Sequence, residues 1–274
     1  MKNKTIRLTE TAVMLSFATV LSILPLLELP YGGSVTVCSA LPLLVISYRH
    51  GCKWGVFAGV VYGILQMLLG MKNVMYFTTP LSIAAVILLD YVLAFAALGL
   101  GGAFRKTLKN QTLALVCGGI LALLLRYILH TVAGATVWAG LSIPSQAALA
   151  YSLAYNATYM IPETLVSVLG TVLVSRVLDF RNETVGKATK NEGFNWWLVG
   201  ATAVLIATLI FDVCTVFAQL QNPETGEFII SGLADVAWKN VGAVSLCGTL
   251  ATIIFWKFGK KKQKNTCQNE KQRV

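Results

Sequence analysis

Apolar runs punctuated by short clusters of lysine and arginine constrain this chain more than any other feature. They fall at roughly 9–29, 35–48, 54–70, 80–100, 111–133, 147–175, 195–218 and 239–257. A membrane-crossing helix needs about 20 apolar residues, and inside lipid its backbone polar groups must satisfy one another. Only 12 % of the residues are charged, where soluble domains carry about a quarter. The expected fold class is therefore an all-α integral membrane protein with eight spans. The second run is short, and Pro25, Pro30 and Pro42 punctuate its neighbourhood.

The net charge of +10 raises the question of nucleic acid, and the placement of the charges answers it. All but three of the 22 Lys and Arg residues lie in the N-terminus, the 2–3, 4–5 and 6–7 loops, or the tail from Lys257. The exceptions are Lys72, Arg126 and Lys239. By the positive-inside rule both termini are expected in the cytoplasm, with the tail held against anionic lipid. No nucleic-acid partner is expected. The basic start MKNKTIR leads into an apolar run with no small-residue cleavage site, so no cleavable signal peptide is expected. Six scattered cysteines show no CxxC spacing, which points to neither a metal site nor a disulfide framework. No Walker-type phosphate loop is present. The polar stretch at 179–194 divides the chain into a six-helix part, 1–178, and two further helices, 195–258, before a basic tail at 259–274.

Polar residues inside the apolar runs carry the functional signal, because a charge at membrane depth costs roughly 2.5–3.5 kcal/mol on insertion scales. Asp90 lies in VILLDYVLAF, Arg126 and His130 share a face of span 5, and Tyr151, Tyr155, Asn156 and Glu163 lie on span 6. Asp212 sits in span 7. Two readings stand for Asp90: an ion pair with Arg126, or a counter-charge for a bound cation. Singly, His130 reads as an interhelical hydrogen-bonder, and Trp138 and Tyr151 as interfacial anchors. Together these residues describe a pocket at the outer ends of spans 5 and 6, with negative charge, π faces and directional hydrogen bonds. Such a pocket suits a small aromatic cation. It lacks the residues for hydrolysis, so no enzyme activity and no cofactor are expected.

The pattern HTVAGATVW followed by YSLAYN resembles the thiamine-specific S component (ThiT type) of energy-coupling factor (ECF) transporters, over roughly residues 5–178. The resemblance implies a six-helix bundle that binds thiamine and works with a transmembrane coupling subunit and two ATPase subunits in a bacterial cell membrane. It implies that Trp138 stacks on the substrate and that His130, Tyr151 and Asn156 bond the aminopyrimidine. Asp90 stands at the family's acidic position, usually glutamate, which pairs with the thiazolium. Tyr62, in GVVYGIL, stands where the family has an aromatic residue. Tyr31 is the nearest aromatic in the first outer loop, which lacks the family's tryptophan, and Tyr76 is a further candidate. Spans 7 and 8 are extra to the family fold.

Span 1 offers Ala12 and Ser16, with Ala18 and Ser22 as a further pair. The resemblance implies that Ala12 and Ser16 dock the coupling subunit, since small side chains let helices approach closely in lipid. From the residues alone, the same spacing reads as an internal packing seam. Alternative functions are a stand-alone proton-coupled secondary transporter using Asp90, Glu163 and Asp212, an S component for a related pyrimidine precursor, and an intramembrane enzyme or sensor.

Overall fold

The computed structural model describes residues 2–182, 185–187, 196–220 and 230–271. It is helical apart from loops and two short ribbons, and among the described residues eight helices of ten residues or more follow one another in chain order: α1 (Lys2–Ser22), α2 (Leu41–His50), α3 (Cys52–Leu69), α4 (Pro80–Leu100), α5 (Gln111–Thr136), α6 (Ala148–Val177), α7 (Trp196–Leu220) and α8 (Trp238–Lys271). Six of them, α3 to α8, are long and apolar enough to cross a membrane. The described residues form two compact units, one holding α1–α6 and the other α7 and α8.

The first apolar run does not continue as a helix to residue 29. α1 stops at Ser22, and Pro25–Glu28 (β1) pairs antiparallel with Ser34–Thr36 (β2). Pro25 has no N–H to give a helix and disfavours helical backbone at Leu24. The tip of this hairpin is closed by Leu29 N–H donating to Gly33 O at 2.6 Å. Tyr31 there takes a φ of 63° and Gly32 one of 99°. A left-handed tyrosine is uncommon, and the surrounding structure must hold it in place.

The second run also shifts, because its first residues belong to β2 and the helix begins only at Leu41. At ten residues α2 reaches about 15 Å, too short to cross a bilayer alone. Every residue from Pro42 to Tyr48 is buried. A helix apolar all round belongs inside the bundle, shielded from lipid by its neighbours.

α3 meets α4 along a glycine ridge. A Cβ on Gly55, Gly59 or Gly63 would collide with the carbonyl oxygens of Gly99, Phe95 or Tyr91 respectively. Only hydrogen fits there, which brings the two backbones together as small-residue seams do in membranes. α4 is π-helical over Ile87–Leu93, and Asp90 sits inside that widened stretch. Such segments re-aim side chains and recur at functional sites.

One end of the bundle gathers the basic segments. Glu10 of α1 accepts from Arg49 Nε at 2.9 Å and Nη2 at 2.7 Å, and pairs with His50 Nε2 at 3.0 Å. Arg49 Nη1 donates to the carbonyls of Phe180 and Asn182, and Arg105 donates to the Arg49 carbonyl. Arg7 lies over the Trp54 ring, 4.0 Å from its centroid. After α6, Leu178–Asp179 (β3) pairs with Gly186–Lys187 (β4), while residues 183–184 and 188–195 of the polar stretch lie outside those described.

In the second unit α7 and α8 pack antiparallel, and Ser245 Oγ donates to Asp212 Oδ2 at 2.7 Å. Asp212, which the sequence alone left unexplained, thus has a partner across the helix pair. Trp197 packs edge-on against Phe255, with ring centroids 5.5 Å apart. The basic side chains beyond residue 259 lie outside those described.

Candidate functional site

At the end of the bundle opposite the basic pole, α1, α3, α4, α5, α6 and the hairpin enclose a cavity of about 520 Å³. Its wall includes Tyr62, Asp90, His130, Trp138 and Asn156, five of the six residues singled out in the sequence. Tyr151 does not line it. Tyr155, one turn further along α6, does.

Asp90 is the centre of the arrangement. Its Oδ1 lies 2.8 Å from His130 Nδ1, and its Oδ2 accepts from Trp138 Nε1–H at 2.8 Å. Among the described residues no Lys or Arg pairs with this carboxylate. Arg126 turns elsewhere: its Nε–H donates to His130 Nε2 at 3.2 Å, and its guanidinium lies 4.5 Å above the Phe95 ring. The spacing of four that places Arg126 and His130 on one face of α5 also makes them bond to each other. The Asp90–Arg126 ion pair is therefore absent.

Trp138 joins this charge to an aromatic cover. Phe77 meets its ring edge-on at 4.8 Å between centroids, Tyr31 at 6.1 Å and Tyr76 at 6.2 Å. Tyr31 and Tyr76 are 5.4 Å apart. Edge-to-face rings attract through their quadrupoles, so the hairpin tip, the 3–4 connection and the 5–6 corner hold together at this point.

Asn156 is deeply engaged. Its Nδ2 donates to Ser152 O at 2.9 Å, and its Oδ1 accepts from Tyr159 O–H at 2.6 Å. Tyr62 is buried, with its hydroxyl donating to Ala18 O at 3.0 Å and its ring edge-on to Phe95. It thus fixes α3 against α1 as well as lining the cavity. Ala18, one of the small residues of α1, faces inward, whereas Ala12 and Ser16 are exposed and Ser16 Oγ donates to Ala12 O.

Glu163, which the sequence offered only as a proton carrier in an alternative reading, has a structural partner. It is 2 % exposed, its Oε2 accepts from Thr36 N–H at 2.6 Å and its Oε1 from Thr36 Oγ1 at 3.0 Å. The carboxylate therefore ties β2 to α6. Gly33 sits flush on the same helix, where a Cβ would lie 2.8 Å from Tyr159 Cδ1. The signal that pointed to Glu163 was a charge in an apolar run beside Pro162; nothing local identified its partner 127 residues away.

A multi-pass helical bundle with a carboxylate and aromatic rings around a cavity under a hairpin is the build of a membrane protein with room for a small polar solute. Residues 8–181 match the family of thiamine transporter proteins (Thia_YuaJ), and the chain belongs to that family. The family is one of transporters, not enzymes. The thiamine transporter ThiT of Bacillus subtilis is 34 % identical over 172 residues, covering 59 % of this chain and 85 % of that protein. That of Lacticaseibacillus paracasei is 26 % identical over 175 residues, covering 58 % of this chain and 82 % of the other. A solved structure of ThiT from Listeria monocytogenes is 25 % identical with a TM-score of 0.46, covering 62 % of this chain and 91 % of that one. The family match ends at residue 181, before α7.

Proposed function

We propose that this chain is the substrate-binding subunit of an ECF-type vitamin importer, which captures thiamine in the cavity around Asp90. The observation that carries this reading is the state of that carboxylate: two N–H groups hold it at the cavity wall, and no guanidinium neutralises it. A partly buried anion that, among the described residues, meets no Lys or Arg is costly, and a bound thiazolium would offset that cost. Trp138 and Tyr31 offer π faces to the cation, while His130 and Asn156 hold the polar frame of the pocket. Tyr62 forms its base, and Tyr151, a turn from Tyr155, is assigned to the rim near the 5–6 corner.

The placement of Lys and Arg along the chain supports a cytoplasmic position for both termini, with the cavity then open to the outside. No step of the chemistry needs ATP on this chain. Transport then requires a transmembrane coupling subunit and two ATPase subunits. The exposed Ala12 and Ser16 on α1 are the surface assigned to the coupling subunit, and the basic tail rests on membrane lipid.

Calorimetry on the purified chain tests the cargo: thiamine binds, and a pyrimidine lacking the thiazolium binds far more weakly. Equal binding of the two overturns the role of Asp90. Vesicles holding only this chain and a pH gradient are expected to import no thiamine; uptake there would favour a proton-coupled carrier.

A further inference from the structure

The hydrogen bonds around His130 fix which of its nitrogens carries a proton. A guanidinium can only donate, so the 3.2 Å contact from Arg126 Nε makes His130 Nε2 an acceptor. The ring proton then resides on Nδ1, where it is donated to Asp90 Oδ1 at 2.8 Å. We infer that Arg126 is a positioning residue that holds His130 as this neutral tautomer, so that Asp90 meets the ligand with its full charge. The inference rests on the reading that the cavity takes a cation.

The reasoning is electrostatic. A histidine beside a carboxylate at the wall of a cavity would ordinarily take up a proton near neutral pH and cancel the charge. Here the second nitrogen is already occupied by a donor that cannot be deprotonated. A proton placed on it would break that bond and put two cations together. The arrangement separates two tasks: His130 orients the carboxylate, and the ligand alone neutralises it.

Other titratable groups around His130 do not replace Arg126 in this role. α6 presents Tyr155, Tyr159 and Glu163, with Tyr159 edge-on to the His130 ring at 6.3 Å and Glu163 bonded to Thr36. α4 adds Tyr91 and α3 Tyr62, whose hydroxyls donate to backbone carbonyls. Glu28, Tyr31 and Lys72 line the cavity from the hairpin and the 3–4 connection, and Lys72 lies 3.6 Å from Glu28. The Tyr48, Arg49 and His50 groups of α2 are at the basic pole, away from the cavity lining.

Nitrogen NMR of the full chain, labelled with ¹⁵N-histidine and free of ligand, tests this directly. The chain has two histidines, so His50→Asn assigns the signals. His130 should show a protonated Nδ1 and an unprotonated Nε2 from about pH 8 to about pH 6. A doubly protonated ring in the wild type within that range overturns the inference, whether or not any variant folds. Arg126→Met should let His130 gain its second proton, and thiamine affinity should fall at least about tenfold between those pH values, against less than about threefold for the wild type. Arg126→Lys, which retains a donor, should restore the flat profile. An Arg126→Met protein as indifferent to pH as the wild type also overturns it. If the wild type binds no thiamine at any pH, the functional reading fails, while the NMR result still decides the tautomer.

Discussion

Asp90 brings a negative charge into an apolar helix, where, among the described residues, two N–H groups hold it. Asparagine at this position presents one oxygen instead of two and no charge. Asp90→Asn should weaken thiamine binding well over tenfold by calorimetry, and Trp138→Ala should do the same by removing both a donor and a π face. Unchanged affinity in either variant would remove that residue from the site. Asp90 stood out in the sequence as a charge inside an apolar run, whereas Trp138, singly an interfacial anchor, was picked out only in combination with its neighbours and through the resemblance. Tyr155 was not separable from Tyr151, since both lie on α6 one turn apart and only the packing decides which faces inward. Glu163 is similar: its charge was visible, its partner was not. Glu163→Ala leaves the Thr36 N–H without its acceptor, a loss of about 1–3 kcal/mol. Thiamine should therefore dissociate roughly tenfold faster in stopped-flow measurements, with the rise in off-rate exceeding any change in on-rate.

At the scale of elements, the glycines of α3 and the hairpin after α1 set where the site residues stand. Gly59 and Gly63 press on the backbone of α4 beside the π-helical stretch that carries Asp90. Gly59→Ala should destabilise the bundle by about 1–3 kcal/mol, read as a lower unfolding temperature in detergent. A variant as stable as the wild type would mean that α3 and α4 separate without cost. The lengths of α3 to α7 could be read from hydropathy, because lipid imposes that length on the sequence; α8 instead runs past its apolar run, through the stretch expected as a basic tail, to Lys271. The hairpin escaped such reading. Residues 25–29 are apolar enough to extend the helix, and only Pro25 and Pro30 opposed it. A ribbon of two short strands has no periodic signal of its own; its register comes from Thr36 bonding across the fold to Glu163.

At the scale of the molecule, the cavity belongs wholly to the unit of α1–α6, and the family match stops with that unit. A chain ending at residue 189 should bind thiamine with the affinity of the full protein, by calorimetry. A loss of more than tenfold would give α7 and α8 a part in binding. The two-part division was visible as a change from apolar runs to a polar stretch; the Ser245–Asp212 bond inside the second part was not, because no spacing rule links two helices joined by a long connection. One side chain has a consequence for how the whole bundle responds to its cargo. The indole of Trp138 grips the acid with its nitrogen while three neighbouring rings lean on its carbons. On the proposed reading, a ligand that draws the acid aside carries the indole and its neighbouring rings with it, and an uncharged mimic of thiamine leaves them where they stand.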